Sequence, residues 1–109
     1  MLTAKTFISE FCSNERFGPS CNHDEVIVMT HALYGRMKVG KCIERGMTGC
    51  KTDVLGVLDK ECSNKRSCDI LVVDLGFHDD IEDPCSDLRS YLEASYMCQK
   101  GKSAFTFKL

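Results

Sequence analysis

Eight cysteines hold most of the chemistry open to this chain of 109 residues. They fall at Cys12, Cys21, Cys42, Cys50, Cys62, Cys68, Cys85 and Cys98. A thiolate can attack a substrate, ligate a metal or pair with a second cysteine. Structural zinc favours close Cys-x-x-Cys pairs, or such pairs beside histidines, and no Cys-x-x-Cys occurs here. The count is even and the density about 7%, which favours disulfides formed in an oxidising compartment. Spacing alone leaves the pairing open. With every cysteine paired, His23, His31 and His78 have no thiol to activate. Neither a Gly-x-Ser-x-Gly elbow nor a His-Glu-x-x-His helix is present. The residues therefore predict no catalytic centre, no cofactor and no metal ligand set. The stretch from Asp74 to Asp83 crowds Asp74, Asp79, Asp80, Glu82 and Asp83, hard oxygen donors of the kind calcium takes. Their order does not follow an EF-hand loop, and a solvated acidic surface is expected.

Charge excludes further classes. The net charge is −2, with acids and bases mixed along the chain. A nucleic-acid binder would show a basic stripe, and an electrostatic membrane binder a basic cluster. No apolar run approaches the ~20 residues that span a bilayer, so no direct membrane insertion is expected. Met1 to Lys5 shows no apolar signal region. On the disulfide reading a signal has been removed, and the domain is expected to be a piece of a larger secreted protein or receptor ectodomain. Arg16, Lys38, Lys41, Arg45 and Lys51 would suit heparan sulphate if their loops converged; a scattered, solvated surface is the plainer expectation.

Several elements must position these residues. Lys5 to Phe11 reads as a strand, and Gly18-Pro19 as a turn. Glu25 to Leu33, rich in β-branched and apolar residues, reads as the central strand, ended by Tyr34-Gly35-Arg36. Gly40, Gly46 and Gly49 mark a loop region. Thr52 or Asp53 would cap a short helix carrying Val54, Leu58 and Cys62 on one face. Asp69 to Asp74 reads as a strand, Leu75 to Pro84 as an acidic loop, Asp87 to Ser90 as a helical turn and Tyr91 to Cys98 as a final strand. Ala104 to Phe107 is expected to form an extra strand or to belong to a C-terminal tail. The fold class is α+β: a small disulfide-rich single domain, an antiparallel sheet with short helices and long loops.

In order along the chain, Ala32-Leu33-Tyr34-Gly35-Arg36, Cys62 to Cys68, Asp83-Pro84-Cys85 and Tyr91 to Cys98 follow one family pattern. The chain resembles the sea-urchin-egg-lectin (SUEL) domain, the rhamnose- or galactose-binding lectin module. That module also occurs in fish egg lectins, latrophilin-type adhesion receptors and EVA-1-type guidance receptors. The resemblance covers residues 7–98, with 99–109 as a C-terminal extension or appended tail. It implies the pairing Cys12–Cys42, Cys21–Cys98, Cys50–Cys85 and Cys62–Cys68.

The resemblance also implies a sugar site. Family members use a glutamate after the first cysteine, an asparagine before Tyr-Gly-Arg, an aspartate before Pro-Cys, and a glycine and a lysine in the following loop. Those positions hold Ser13, Leu33, Asp83, Asp87 and Ser90, with Arg89 adjacent to the last. Tyr34 and Arg36 are expected to be structural, the tyrosine packing and the arginine pairing with a buried acid. The candidate ligand-binding residues are Ser13, Leu33, Tyr34, Asp83, Asp87 and Arg89. Serine and leucine cannot replace acceptors whose charged hydrogen bonds contribute roughly 1.5 kcal/mol or more each, so monosaccharide affinity is expected to be weakened. Two functions follow: an extracellular carbohydrate-binding lectin domain, or a protein-interaction module of an adhesion or guidance receptor. The expected partner is accordingly a glycan or a cell-surface protein.

Overall fold

The computed structural model describes residues 7–86 and 88–101. A four-stranded antiparallel sheet runs in the order β1-β6-β3-β4, with a separate two-stranded ribbon of β2 and β5. The centre of the sheet is the long pair β3 (Glu25–Arg36) and β6 (Tyr91–Lys100). β1 (Ser9–Phe11) flanks β6, and β4 (Cys50–Asp53) flanks β3. The strand expected over Lys5 to Phe11 is thus Ser9–Phe11 within the described residues. β6 runs on past Cys98, with Lys100 opposite Glu25. Ala104 to Phe107 lies outside the described residues.

β3 is not one uninterrupted alternation. Met29 faces Tyr96 and His31 faces Ser95, so Thr30 is an extra residue in the ladder. An inserted residue exchanges the two faces of the strand beyond it. Ile27 and Met29 are buried before the irregularity, Ala32 and Tyr34 after it. The β3 edge that β4 leaves uncovered is paired by the chain after the helix. Ile27 N–H donates to the Lys65 carbonyl (2.8 Å), Asn64 N–H to the Ile27 carbonyl (2.9 Å) and Met29 N–H to Ser63 Oγ (3.0 Å).

The helix α1 (Leu55–Cys62) lies on the buried face of β3. Val54, Leu58 and Cys62 are fully buried, the face that their four-residue spacing predicts. The N-cap position is Val54, with no side-chain cap, so neither Thr52 nor Asp53 is the cap residue expected; Asp53 Oδ1 accepts the Leu55 N–H (2.8 Å) from one position earlier, and Thr52 pairs with Tyr34 in β4. Phe17 of β2 (Arg16–Phe17), Val72 and Leu92 complete the centre of the core.

One further expectation fails here. Asp69 to Asp74 does not form a full strand. Only Ile70–Leu71 pairs, as β5, and Val72–Phe77 turns into a 3₁₀ helix. Val72 and Val73 donate instead to the carbonyls of Glu15 and Ser13, at 3.0 and 3.1 Å, which draws the segment onto the turn after β1. The helical turn expected over Asp87 to Ser90 falls partly outside the described residues, which omit Asp87; Leu88 to Ser90 is a bend and irregular chain.

Four disulfides tie this framework: Cys12–Cys42, Cys21–Cys98, Cys50–Cys85 and Cys62–Cys68. Cys21–Cys98 spans 77 positions, and chain-entropy reasoning assigns such a loop roughly 4–5 kcal/mol of stabilisation. Gly35 is required where β3 meets β4, because a Cβ there would fall on the Cys50 carbonyl oxygen and 2.6 Å from the Lys51 Cα. Next to it, Arg36 is only 7% exposed. It pairs with no acid among the described residues. Its guanidinium donates instead to three main-chain carbonyls: Nε to Met47 (2.7 Å), Nη1 to Arg89 (2.7 Å) and Nη2 to Arg45 (3.3 Å). A planar fork of N–H donors can reach three fixed acceptors; a lysine ammonium on a flexible stem cannot.

Reduction of the disulfides is expected to unfold the domain, read as collapse of amide dispersion in a ¹H–¹⁵N spectrum; a reduced sample with native dispersion refutes this. Arg36→Lys should cost about 2 kcal/mol or more, since it leaves buried carbonyls without a donor. The melting temperature would fall by roughly 8 °C or more. A thermal melt within a degree or two of the parent would show that the clamp contributes little.

Candidate functional site

The end of β3 opens into a concavity of about 580 Å³. Three tethered segments bring its walls together. Ser13 comes from the turn after β1, held by Cys12–Cys42 and by the Val73 amide. Val73, Gly76 and Phe77 come from the 3₁₀ helix. Asp83, Ser86 and Leu88 to Ser90 come from the loop that Cys50–Cys85 fixes to β4.

Tyr34 is the inner wall. It is 6% exposed, and its hydroxyl faces Gly76 so closely that a Cβ there would stand 3.0 Å from the oxygen. Burial, and secondly the Asp83 carboxylate, raise the tyrosine above its ordinary pKa of 10.0. It therefore stays a neutral phenol, able to donate and accept. Asp83 is exposed and folds back on its own loop, Oδ1 accepting the Cys85 N–H at 3.1 Å. Its other oxygen takes no hydrogen bond from the described residues. Ser90 lines the same concavity, and its Oγ is buried beneath the surface with no hydrogen-bond partner among the described residues. A buried hydroxyl without a partner is costly, and a ligand hydroxyl entering here would relieve that cost.

Of the sequence candidates, the structure brings together Ser13, Tyr34, Asp83 and Arg89. Asp87 lies outside the described residues. Leu33 does not line the concavity. It is adjacent to Tyr34 in the strand and so points to the opposite face, half-buried opposite Glu93 and Asp53. Leu33, expected among the ligand-binding residues, is therefore placed away from the others. The structure adds an apolar flank that sequence reasoning missed: Val73, Leu88 and Phe77, the last 81% exposed. The available signal was a lone aromatic ring within an acidic, polar stretch.

The acidic run from Asp74 to Asp83 brings no three ligand atoms together among the described residues. The two groups that do converge, Cys12 with Glu15 and Cys42, and Cys21 with Glu25 and Cys98, are each a disulfide beside one carboxylate. Neither offers a thiolate. No helix among the described residues is long and apolar enough to cross a membrane.

Comparison with known proteins agrees with this architecture. Residues 19–98 match the family described as the D-galactoside/L-rhamnose binding SUEL lectin domain. Latrophilin Cirl of Drosophila pseudoobscura pseudoobscura is 30% identical over 103 residues, 90% of this chain but 6% of that protein. Latrophilin Cirl of Drosophila persimilis is 30% identical over 92 residues, which is 5% of its length. The D-galactoside-specific lectin of Heliocidaris crassispina is 29% identical over 106 residues, and the match spans 95% of that lectin. The chain thus corresponds to a small part of the receptors and to nearly the whole of the lectin. It belongs to the SUEL lectin domain family, a disulfide-rich, non-enzymatic carbohydrate-binding class typical of extracellular proteins.

Tyr34 and Asp83 are electrostatically coupled across the concavity, and the sign is fixed. A carboxylate disfavours the phenolate, so Asp83→Asn should lower the tyrosine pKa. Burial should still hold it above 10.0, the ordinary value. An ultraviolet or NMR titration of the ring checks this; an unchanged midpoint in Asp83→Asn means that the two groups do not face each other.

Proposed function

We propose that this chain is an extracellular carbohydrate-recognition module that takes a galactoside- or rhamnoside-class sugar in the concavity at the end of β3. The observation that carries this reading is the convergence of Ser13, Tyr34, Asp83 and Arg89, from three separate segments, on one open concavity. A sugar presents hydroxyls in fixed directions and one C–H face. The free Asp83 oxygen, the Tyr34 hydroxyl and the unpartnered Ser90 hydroxyl suit the first, and the exposed Phe77 ring suits the second. The D-galactoside specificity named for the Heliocidaris relative supports the ligand class. Ser13 stands where family members carry a glutamate, so fewer charged hydrogen bonds are available. Weak monosaccharide affinity follows.

A second reading has its own support. Val73, Phe77 and Leu88 form an apolar group beside charged Asp83 and Arg89, the composition of a protein contact with apolar anchors in a polar rim. The match to a short portion of two long latrophilins fits a module within a receptor ectodomain. On either reading, residues 7–98 are the functional unit.

Titration of the ¹⁵N-labelled domain with galactose and rhamnose, to tens of millimolar, tests the sugar reading. Saturable shifts are expected at Tyr34, Asp83 and Leu88, abolished in Asp83→Ala and weakened several-fold in Phe77→Ala. Absence of saturable shifts with both sugars rejects monosaccharide recognition at this site and leaves the protein contact as the function to pursue.

A further inference from the structure

A second concavity, of about 600 Å³, lies on the other side of Arg89. Arg36, Arg45 and Arg89 line it together with Lys41, and Glu44 is the one carboxylate on its walls. The chain as a whole carries a net charge of −2, so this is a local excess of cations. Three cations elsewhere are neutralised, Arg16 by Asp69 at 2.9 Å, Lys38 by Glu10 at 2.6 Å and Lys100 by Asp24 at 2.6 Å, while Lys51, Lys60, Lys65 and Arg66 do not share one concavity with each other. Lys41, at the margin, is held by Glu15 at 3.2 Å. Arg36, Arg45 and Arg89 pair with no carboxylate among the described residues.

Arg36 is the unusual member. A charge more than nine-tenths buried ordinarily has a counter-ion, because desolvation otherwise disfavours it. Here three carbonyl dipoles take one N–H each, while a guanidinium carries five. The carbonyls of Arg45 and Arg89 are two of those acceptors. The clamp therefore also fixes the main chain that bears the two exposed guanidinium groups around the same hollow. Planar N–H forks held in this way suit oxyanions with several acceptor oxygens.

We propose that this concavity is a second site, which takes the sulfate groups of an acidic glycan. Its open form admits a chain passing over the surface. Charge complementarity favours a polyanion, and an open basic hollow binds clustered anionic groups without a shaped sugar pocket. Because Arg89 lines both concavities, a bound glycan chain can run from one to the other. The second site does not require the first to bind a neutral sugar.

The probe is a size-fractionated heparin hexasaccharide, titrated into the oxidised domain and followed by NMR. The expected result is saturable shifts at the Arg36 Nε–H, Gly46 and Arg89, and affinity that falls steeply with added salt. Arg45→Ala, which alters this concavity alone, should weaken binding about threefold or more. Arg45→Ala with Arg89→Ala should weaken it about tenfold or more, with amide dispersion retained. Lys60→Ala with Lys65→Ala removes the same charge elsewhere and should change affinity less than about twofold. Equal losses in the two double variants, or shifts that map elsewhere, overturn the proposal. Binding of inorganic sulfate or a poly-glutamate peptide as tightly as the hexasaccharide overturns the assignment to a glycan. The galactose and rhamnose titrations report on Tyr34 and Asp83, so failure there leaves a separate signature from failure here.

Discussion

The side-chain period of an extended strand is two, and Thr30 adds one residue to β3 that β6 does not match. Everything beyond that point is set by the insertion. Continued without it, the alternation of Ile27 and Met29 would have turned Leu33 and Gly35 toward the core, and Tyr34 and Arg36 away from it. With it, Ala32 and Tyr34 are buried, and Arg36 closes the same face at the strand end. The irregularity is held from both sides. Thr30 Oγ1 lies 2.7 Å from Ser95 Oγ, and the Met29 N–H is taken by Ser63 Oγ rather than by a strand. Both concavities depend on this phase, one through the Tyr34 wall and the other through the Arg36 floor.

Arg36 converts a strand end into a loop organiser. The loop from 37 to 49 has little regular structure, and the chain between the 3₁₀ helix and β6 has none among its described residues. Main-chain carbonyls in such segments need donors, and one guanidinium supplies three at fixed angles. Its positive charge is retained at a buried position because the acceptors are dipoles whose geometry the disulfides already hold. Cys12–Cys42 and Cys50–Cys85 anchor the same two loops, so covalent and polar constraints act on the same pieces of chain.

The long strand and the helix were legible because apolar spacing records burial directly. Val54, Leu58 and Cys62 recur at a helical interval and meet the core. Disulfide chemistry was legible from the number of cysteines, but their pairing came only with the family pattern, since chain spacing does not encode which loops meet. The segment Asp69 to Asp74 was misread for a physical reason. A short apolar run has no periodicity that separates a strand from a tight helix, and the decision lay with distant carbonyls of Ser13 and Glu15. The same applies to Arg36. A buried arginine suggests an acid, and main-chain acceptors leave no mark in a residue pattern. Leu33 was misplaced because the motif reads as contiguous in sequence while its neighbours point to opposite faces. Phe77 was passed over because exposure is a property of the fold, not of the residue.

Scaffold and concavity rest on different kinds of contact. Tyr34, Gly35 and Arg36 are buried and fixed by contacts that nothing else could make: a phenol against Gly76, a missing Cβ against Cys50, and a three-way guanidinium clamp. Ser13 and Arg89 stand on loops whose paths are set by disulfides and main-chain bonds, not by their own side chains. Asp83 is the intermediate case, since one carboxylate oxygen shapes the turn before Cys85 and the other remains for a ligand. A change at Ser13 therefore alters what the concavity can hold without altering where its walls stand.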